Sequence, residues 1–313
     1  PETAARAELA GVLAAVPDDA VVVLDGLVAC GVPDVVVPAA RRLRLVVLVH
    51  MPLGDDTGLA PGEAAELDAR ERETLRAVPA VVATSAWAAA RLVERHGLAP
   101  GRVHVAEPGV DRAPLAPGTD GASRLLCVAA VTPHKAQDLL VEALATIAGL
   151  SWSCVCVGAL DRAPGYVERL HGLIREHDLS DRVRLVGPRT GGELAASYAA
   201  ADLVVLASRA ETYGMVVTEA LARGIPVLAT AAGGVPEALG RAPDGTVPGL
   251  LVPAGDPAAL AGALRRWLGE PGLRRRLKGA ARGRRATLHG WEATSRRLSE
   301  VLESLRGENR RVR

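Results

Sequence analysis

The segment Glu211-Thr-Tyr-Gly-Met-Val-Val-Thr-Glu219 brackets a glycine with two carboxylates and directly follows the apolar run Leu203 to Leu206. The run reads as a strand and the segment as a loop entering a helix. Glu211 then stands at the strand's carboxyl end and Glu219 lies inside the helix. Gly214 at the helix start permits close backbone approach, and the free N–H groups and positive dipole end there suit a phosphate. Carboxylates beside an anion site make sense if the ligand also carries hydroxyls, because ionised Glu accepts hydrogen bonds from them. A phosphorylated sugar compound, such as a nucleotide-sugar, meets both demands. The plain alternative is an acidic helix start followed by a solvated Glu.

These side chains need a scaffold, and the rest of the chain supplies one. Short Val- and Leu-rich runs alternate with longer Ala-, Leu- and Arg-rich stretches of helical period. Apolar strands separated by helices indicate parallel sheet covered on both faces. Strands are expected at Ala20 to Leu24, Leu43 to Val49, Ala80 to Ala83 and Arg102 to Ala106, with helices at Asp34 to Arg42, Gly62 to Ala77 and Ala86 to His96. A stretch from Gly109 to Gly121, rich in Pro, Gly, Asp and Thr, reads as a linker. Beyond it, strands are expected at Arg124 to Ala130, Trp152 to Val157, Arg182 to Val186, Leu203 to Leu206, Pro226 to Ala229 and Gly249 to Val252, followed by a helical tail from Pro257 to Leu305. The expected class is α/β, with two doubly wound domains facing a ligand cleft at the carboxyl ends of their strands. Residues 1–115 form the first, 116–290 the second, and 291–313 a terminal helix and tail.

Composition narrows the function further. A length of 313 residues fits two domains of roughly 100–200 residues each. There is no Phe, and four Trp and three Tyr are the only rings, so the core must be Val, Leu and Ala. Single-strand nucleic-acid binders rely on exposed rings, and a net charge of +1 does not suit a general polyanion binder. Cys30, Cys127, Cys154 and Cys156 form no CxxC pair and read as buried thiols in a reducing, cytoplasmic setting. No apolar stretch reaches the roughly 18 residues of a membrane span.

The segment Glu211 to Glu219 matches the E-x7-E signature, and the chain resembles retaining glycosyltransferases of the GT-B fold, family 4. Neighbouring text agrees: Glu219-Ala-Leu-Ala-Arg-Gly-Ile-Pro-Val, Gly233-Gly-Val-Pro-Glu237, Gly249-Leu-Leu-Val-Pro, Val128 to Lys135 with Asp138-Leu-Leu, Val183-Arg-Leu-Val-Gly187, and Glu107-Pro-Gly-Val-Asp111. Val49-His50-Met51-Pro52 and Val81 to Trp87 in the first domain are also similar. The resemblance implies that Glu219 holds the ribose and Glu211 sets the pose of the donor sugar. Backbone amides at Gly214, Met215 and Val216 would hold the diphosphate beside Lys135. Gly187 and Arg189 would border the base, and Tyr213 would supply ring packing. His50 would face the donor sugar across the cleft. No D-x-D sequence occurs, so the expected transferase is metal-independent and needs no cofactor beyond its UDP- or GDP-linked donor. The acceptor is left open.

Two departures stand out. Many relatives carry Gly-Arg and then Lys-Gly where this chain has Ala129-Ala130 and Lys135-Ala136, so a second diphosphate cation is missing. Pro1 to Asp19 offers a helix and a turn but no strand or Gly-rich loop. The first domain is therefore expected to lack its first strand and helix, with Pro1 as a cut edge. The basic stretch Arg265 to Arg285 is either a solvated helical face or a peripheral contact with anionic membrane. A nucleotide-sugar-binding protein without transferase activity is the alternative function. A dehydrogenase on the same architecture would need G-x-G-x-x-G, which neither Leu24 to Gly31 nor Val128 to Lys135 supplies.

Overall fold

The computed structural model describes residues 3–55 and 59–307. Pro1 and residues 308–313 of the expected tail lie outside the described residues. The chain divides into two compact units, one reaching Gly109 and resuming at Trp291, the other running from Val110 to Gly290.

In the first unit the order is α1 (Thr3–Ala15), β1 (Val21–Asp25), α2 (Gly26–Ala29), α3 (Pro33–Ala39), β2 (Arg44–Val49), α4 (Pro61–Ala77), β3 (Ala80–Ala83), α5 (Ala86–His96) and β4 (Val103–Val105). The four strands are all parallel, in the order β1-β2-β3-β4. The strands follow the Val-rich runs, and turn chemistry punctuates them. Ser85 caps α5 by accepting the Ala88 N–H at 2.9 Å, and Gly97 ends that helix in the left-handed region at φ 61°.

The second unit contains β5 (Arg124–Val128), α6 (Gln137–Ala145), β6 (Ser153–Val157), α7 (Pro164–Glu176), β7 (Val183–Leu185), α8 (Gly191–Ala199), β8 (Leu203–Leu206), α9 (Met215–Ala222), β9 (Val227–Thr230), α10 (Val235–Leu239), β10 (Gly249–Val252), α11 (Pro257–Gly269) and α12 (Pro271–Arg285). Its six parallel strands run β10-β9-β8-β5-β6-β7. The chain winds outward from β5 to β7, then returns to place β8 on the other side of β5. In a doubly wound sheet that reversal opens a crevice at the carboxyl ends of the two strands. Lys135 follows β5 and Glu211 follows β8.

The last helix, α13 (Trp291–Gly307), corrects the expected division. It belongs to the first unit instead of forming a tail, and the boundary lies at Gly109 instead of residue 115. Leu298, Val301, Leu302 and Leu305 recur at helical spacing and pack with Val46, Ala80, Val82 and Ala106 of the first unit's core. Arg44 Nη1 donates to the Leu305 carbonyl at 2.6 Å.

Both cores are Val, Leu and Ala, as the ring shortage requires. Trp152, Tyr166, Tyr198, Tyr213 and Trp267 are all buried in the second unit. The indole of Trp267 donates to the Ala122 carbonyl at 2.8 Å, which satisfies its one polar group. All four thiols are free and buried. Burial pushes the Cys30 thiol far up, and a hydrogen bond with Cys156, then burial, does the same for Cys127, so these thiols stay protonated. Three of the six arginines of α12 bond carbonyls. Arg274 bonds those of Trp267 and Leu268 at the end of α11, Arg284 that of Leu239, and Arg285 those of Ala222 and Ala113. They cap helix ends as basic residues do. Among the described residues no helix is long and apolar enough to cross a membrane.

Candidate active site

Three loops of the second unit meet at the strand-order reversal. The β5–α6 loop carries Lys135, whose Nζ lies 2.6 Å from Glu211 Oε1 on the β8–α9 loop. The Ser208 hydroxyl donates to the same carboxylate oxygen at 2.8 Å. In turn the Thr230 hydroxyl, at the end of β9, donates to the Ser208 carbonyl at 2.6 Å. Adjacent strands therefore brace one carboxylate, and the Glu211 side chain is only 11% exposed.

Arg209 fastens the two loops together. Its backbone N–H donates to the His134 carbonyl at 2.8 Å, and its guanidinium reaches Asp138 Oδ2 at 3.1 Å. Asp138 also accepts the Tyr166 hydroxyl at 2.8 Å. This clasp sits beside Lys135, where Ala136 holds φ 52°, a left-handed conformation unusual for a residue with a Cβ.

Gly214 opens α9 at φ 91°, and the helix start has no side-chain cap. The first-turn N–H groups therefore point out of the helix at the loop that carries Glu211. Met215 is exposed and Val216 half-buried at this start. Glu219 lies farther along the helix, half-buried, and accepts the Tyr198 hydroxyl on Oε2 at 2.6 Å. Burial, then the charge of Glu219, pushes the Tyr198 phenol far above its ordinary value, so it remains a donor. Arg223 stacks 4.3 Å from the Tyr198 ring centroid and bonds the Glu219 carbonyl at 2.8 Å. Glu219 is thus held through Oε2 by Tyr198.

The structure brings together Lys135, Glu211, Gly214, Met215 and Val216 and places Glu219 on the same helix. Tyr213 is buried in the core with Val217 and Val235, so its ring supports the loop from beneath. Gly187 adopts φ 75°, and its carbonyl accepts the Gly158 N–H at 3.0 Å. A Cβ on Gly158 would fall 1.9 Å from the Ala129 oxygen, so β5 and β6 leave this crevice by close backbone approach. Arg189 lies between β7 and α8. Its Nη1 reaches along α8 to the Ser197 hydroxyl at 2.8 Å.

His50 belongs to the first unit, at the carboxyl end of β2. Its Nε2 lies 3.1 Å from Asp25 Oδ2 at the end of β1. A carboxylate only accepts, so Nε2 carries the proton. The other oxygen of Asp25 caps α2 by accepting the Leu27 N–H at 2.8 Å. Sequence reasoning missed Asp25, Ser208, Arg209 and Tyr198. Ser208 and Asp25 carry a legible signal, a polar residue ending an apolar strand, whereas the Tyr198–Glu219 pair joins two helices across the fold.

One further group of ligand-type atoms, within 4.8 Å of one another, comprises Asp68, Glu71 and His96. Several of its atoms are engaged within the fold: His96 Nε2 lies 2.9 Å from Glu71 Oε2, and Arg72 and Arg95 hold Asp68, while His96 Nδ1 is buried without a hydrogen-bond partner among the described residues. The arrangement forms an internal network of the first unit.

Comparison with known proteins agrees with this geometry. The family model Glycosyl transferases group 1 matches residues 117–284, and Glycosyltransferase Family 4 matches residues 26–113. A D-inositol 3-phosphate glycosyltransferase of Kineococcus radiotolerans is 36% identical over 82% of this chain and 66% of its own length. That of Salinispora arenicola is 35% identical over 78% of this chain and 59% of its own. The chain thus spans about three fifths of such curated relatives. Among solved structures, sucrose-phosphate synthase of Thermosynechococcus elongatus superposes with a TM-score of 0.76 at 25% identity, over 92% of this chain and 74% of that one. Anabaena HepE in complex with UDP and glucose gives 0.78 at 22% identity, over 96% and 81%.

Proposed function

This chain belongs to the group 1 glycosyl transferases of family 4, and from that premise we propose that it transfers a hexosyl group from a UDP- or GDP-sugar to an acceptor hydroxyl, with retention of anomeric configuration. The observation that carries the reading is the Lys135–Glu211 pair at the strand-order reversal, beside the uncapped start of α9. The UDP and glucose bound to HepE support uridine as the base.

The roles follow from the charges. The incoming diphosphate competes for Lys135 and takes the amides of Met215 and Val216, stabilising the negative charge that grows on the leaving group. Glu211, released from Lys135 but still held by Ser208, accepts hydroxyls of the donor sugar and fixes its pose. Glu219, oriented by Tyr198, accepts a ribose hydroxyl on its other oxygen. The bond from C1 to the diphosphate oxygen breaks as the acceptor oxygen bonds C1 on the same face. The acceptor proton passes to the departing diphosphate, so Glu211 positions and does not form a covalent intermediate. Lys135 and the helix start carry the charge work without a metal. His50, which the resemblance assigns to the donor sugar, is held within its own unit by Asp25.

The test offers UDP-glucose, UDP-N-acetylglucosamine and GDP-mannose with a panel of hydroxyl acceptors, in excess chelator, and reads nucleoside diphosphate release and the anomer formed. An α-linked product from an α-linked donor is expected. Binding of UDP without turnover on any acceptor would favour the binding-protein alternative, and preference for NAD would sink both.

A further inference from the structure

The second unit holds another concavity, of about 120 Å³, between the sheet and α8. Register places its lining: Leu126, Val155 and Arg184 are successive lateral partners across β5, β6 and β7 and so share one face of the sheet. Arg124, two positions before Leu126, projects from that same face, and Arg189 reaches down α8 from above. Three guanidinium side chains from three segments therefore line one small cavity, floored by Leu126, Val155 and Ala196.

Their pairing differs from that of several other arginines in this chain. Arg91 and Arg95 are answered by carboxylates, and Arg182, Arg274 and Arg285 by carbonyls. Arg124 instead donates to the Ser153 hydroxyl at 3.0 Å and Arg189 to the Ser197 hydroxyl at 2.8 Å. Among the described residues none of the three cavity arginines has a carboxylate within ion-pair distance, and no acid lines the cavity. Arg184 is exposed and Arg124 and Arg189 are half-buried; like charges gathered around the concavity repel, and an anion that accepts from several forks at once relieves them. The volume equals about four water molecules at roughly 30 Å³ each, room for a tetrahedral oxyanion.

We propose that Arg124, Arg184 and Arg189 form a phosphoryl-binding site, distinct from the donor site, that takes inorganic phosphate or a soluble phosphate monoester. It lies toward the amino ends of the strands, and β5 alone separates Arg124 from the Lys135 loop by about 13 Å at the usual rise per residue. Arg189 thereby serves this cavity and not the nucleotide base.

The experiment is calorimetric titration of inorganic phosphate, and separately of glycerol 3-phosphate, into the full chain saturated with UDP, so that the donor site is occupied. One equivalent is expected to bind, with affinity reduced about tenfold or more in Arg184→Gln and in Arg124→Gln, since each removes a charge-assisted hydrogen bond. UDP affinity should be unchanged in both variants, which also shows that they fold. Binding of only one of the two probes would support the site and identify its source as free phosphate or a monoester. Absence of binding by both at millimolar concentration, or binding indifferent to both substitutions, would overturn the proposal.

Discussion

One charged cluster in each unit can be set against the other. In the first, Asp55 receives both Arg91 and Arg95, Asp68 receives Arg72 and Arg95, and Glu71 receives His96 and the Leu53 N–H. Each carboxylate there has at least two partners from the fold itself. In the second, Lys135 and Glu211 answer each other and the Ser208 hydroxyl also donates to Glu211, whereas buried Asp202 of the same unit is held as closely as any acid of the first, by Thr119, Gly121 and Arg124. A cluster knitted from several carboxylates and arginines holds a shape. A lone pair beside an uncapped helix start can trade its partner for a ligand, so it marks a site. The same residue types thus serve stability or chemistry according to how completely the fold satisfies them.

The contrast can be broken at either end. The largest effect is expected from His96→Leu, which leaves Glu71 buried without its main partner and should cost about 3–5 kcal/mol in urea denaturation. UDP affinity at temperatures where the variant is folded should not change, and a changed affinity would mean the first network is not merely structural. Next, Lys135→Ala should leave stability nearly intact while lowering kcat about 10²–10³-fold. A loss of only a few-fold would place the pair on the structural side. Glu219→Gln keeps an acceptor for Tyr198 but removes the charge, and should weaken UDP binding about tenfold. Equilibrium titration checks this.

Smaller effects sharpen the comparison. Burial alone would raise the Asp55 carboxyl, but hydrogen bonds from Arg91 and then Arg95 outweigh it and hold the group below its ordinary value. Its stabilising contribution is therefore present above about pH 4, the unfolded value, and is lost as pH falls through the lower folded value. Asp55→Asn should be less stable by about 1 kcal/mol at neutral pH, and the two curves should converge in acid. Least of all, Ala136→Gly should shift stability by less than about 1 kcal/mol, because relief of left-handed strain is offset by a lost buried methyl and a freer unfolded chain.

Much of this was legible in the residues. Apolar runs such as Ala80–Ala83 and Leu203–Leu206 end where the structure ends them, because strands buried on both faces have no polar alternation to blur their limits. Glu211 and Lys135 were legible as members of motifs, although their direct pairing joins residues from different loops. The partner of Arg189 was not legible: a long side chain after a strand can reach the loop above or the helix beside it, and only the structure shows its bond to Ser197. The terminal helix misled because its amphipathic stripe shows that it packs on something without showing on what.

That helix also sets the timetable by which the chain acquires its shape. The face of the first sheet that holds Val46 and Val82 is completed by Val301 and Leu305. Synthesis proceeds from the amino end, so the whole second unit is made before this face is covered. During that interval the first unit carries an open apolar surface, and it is the stage at which the nascent chain most needs a chaperone.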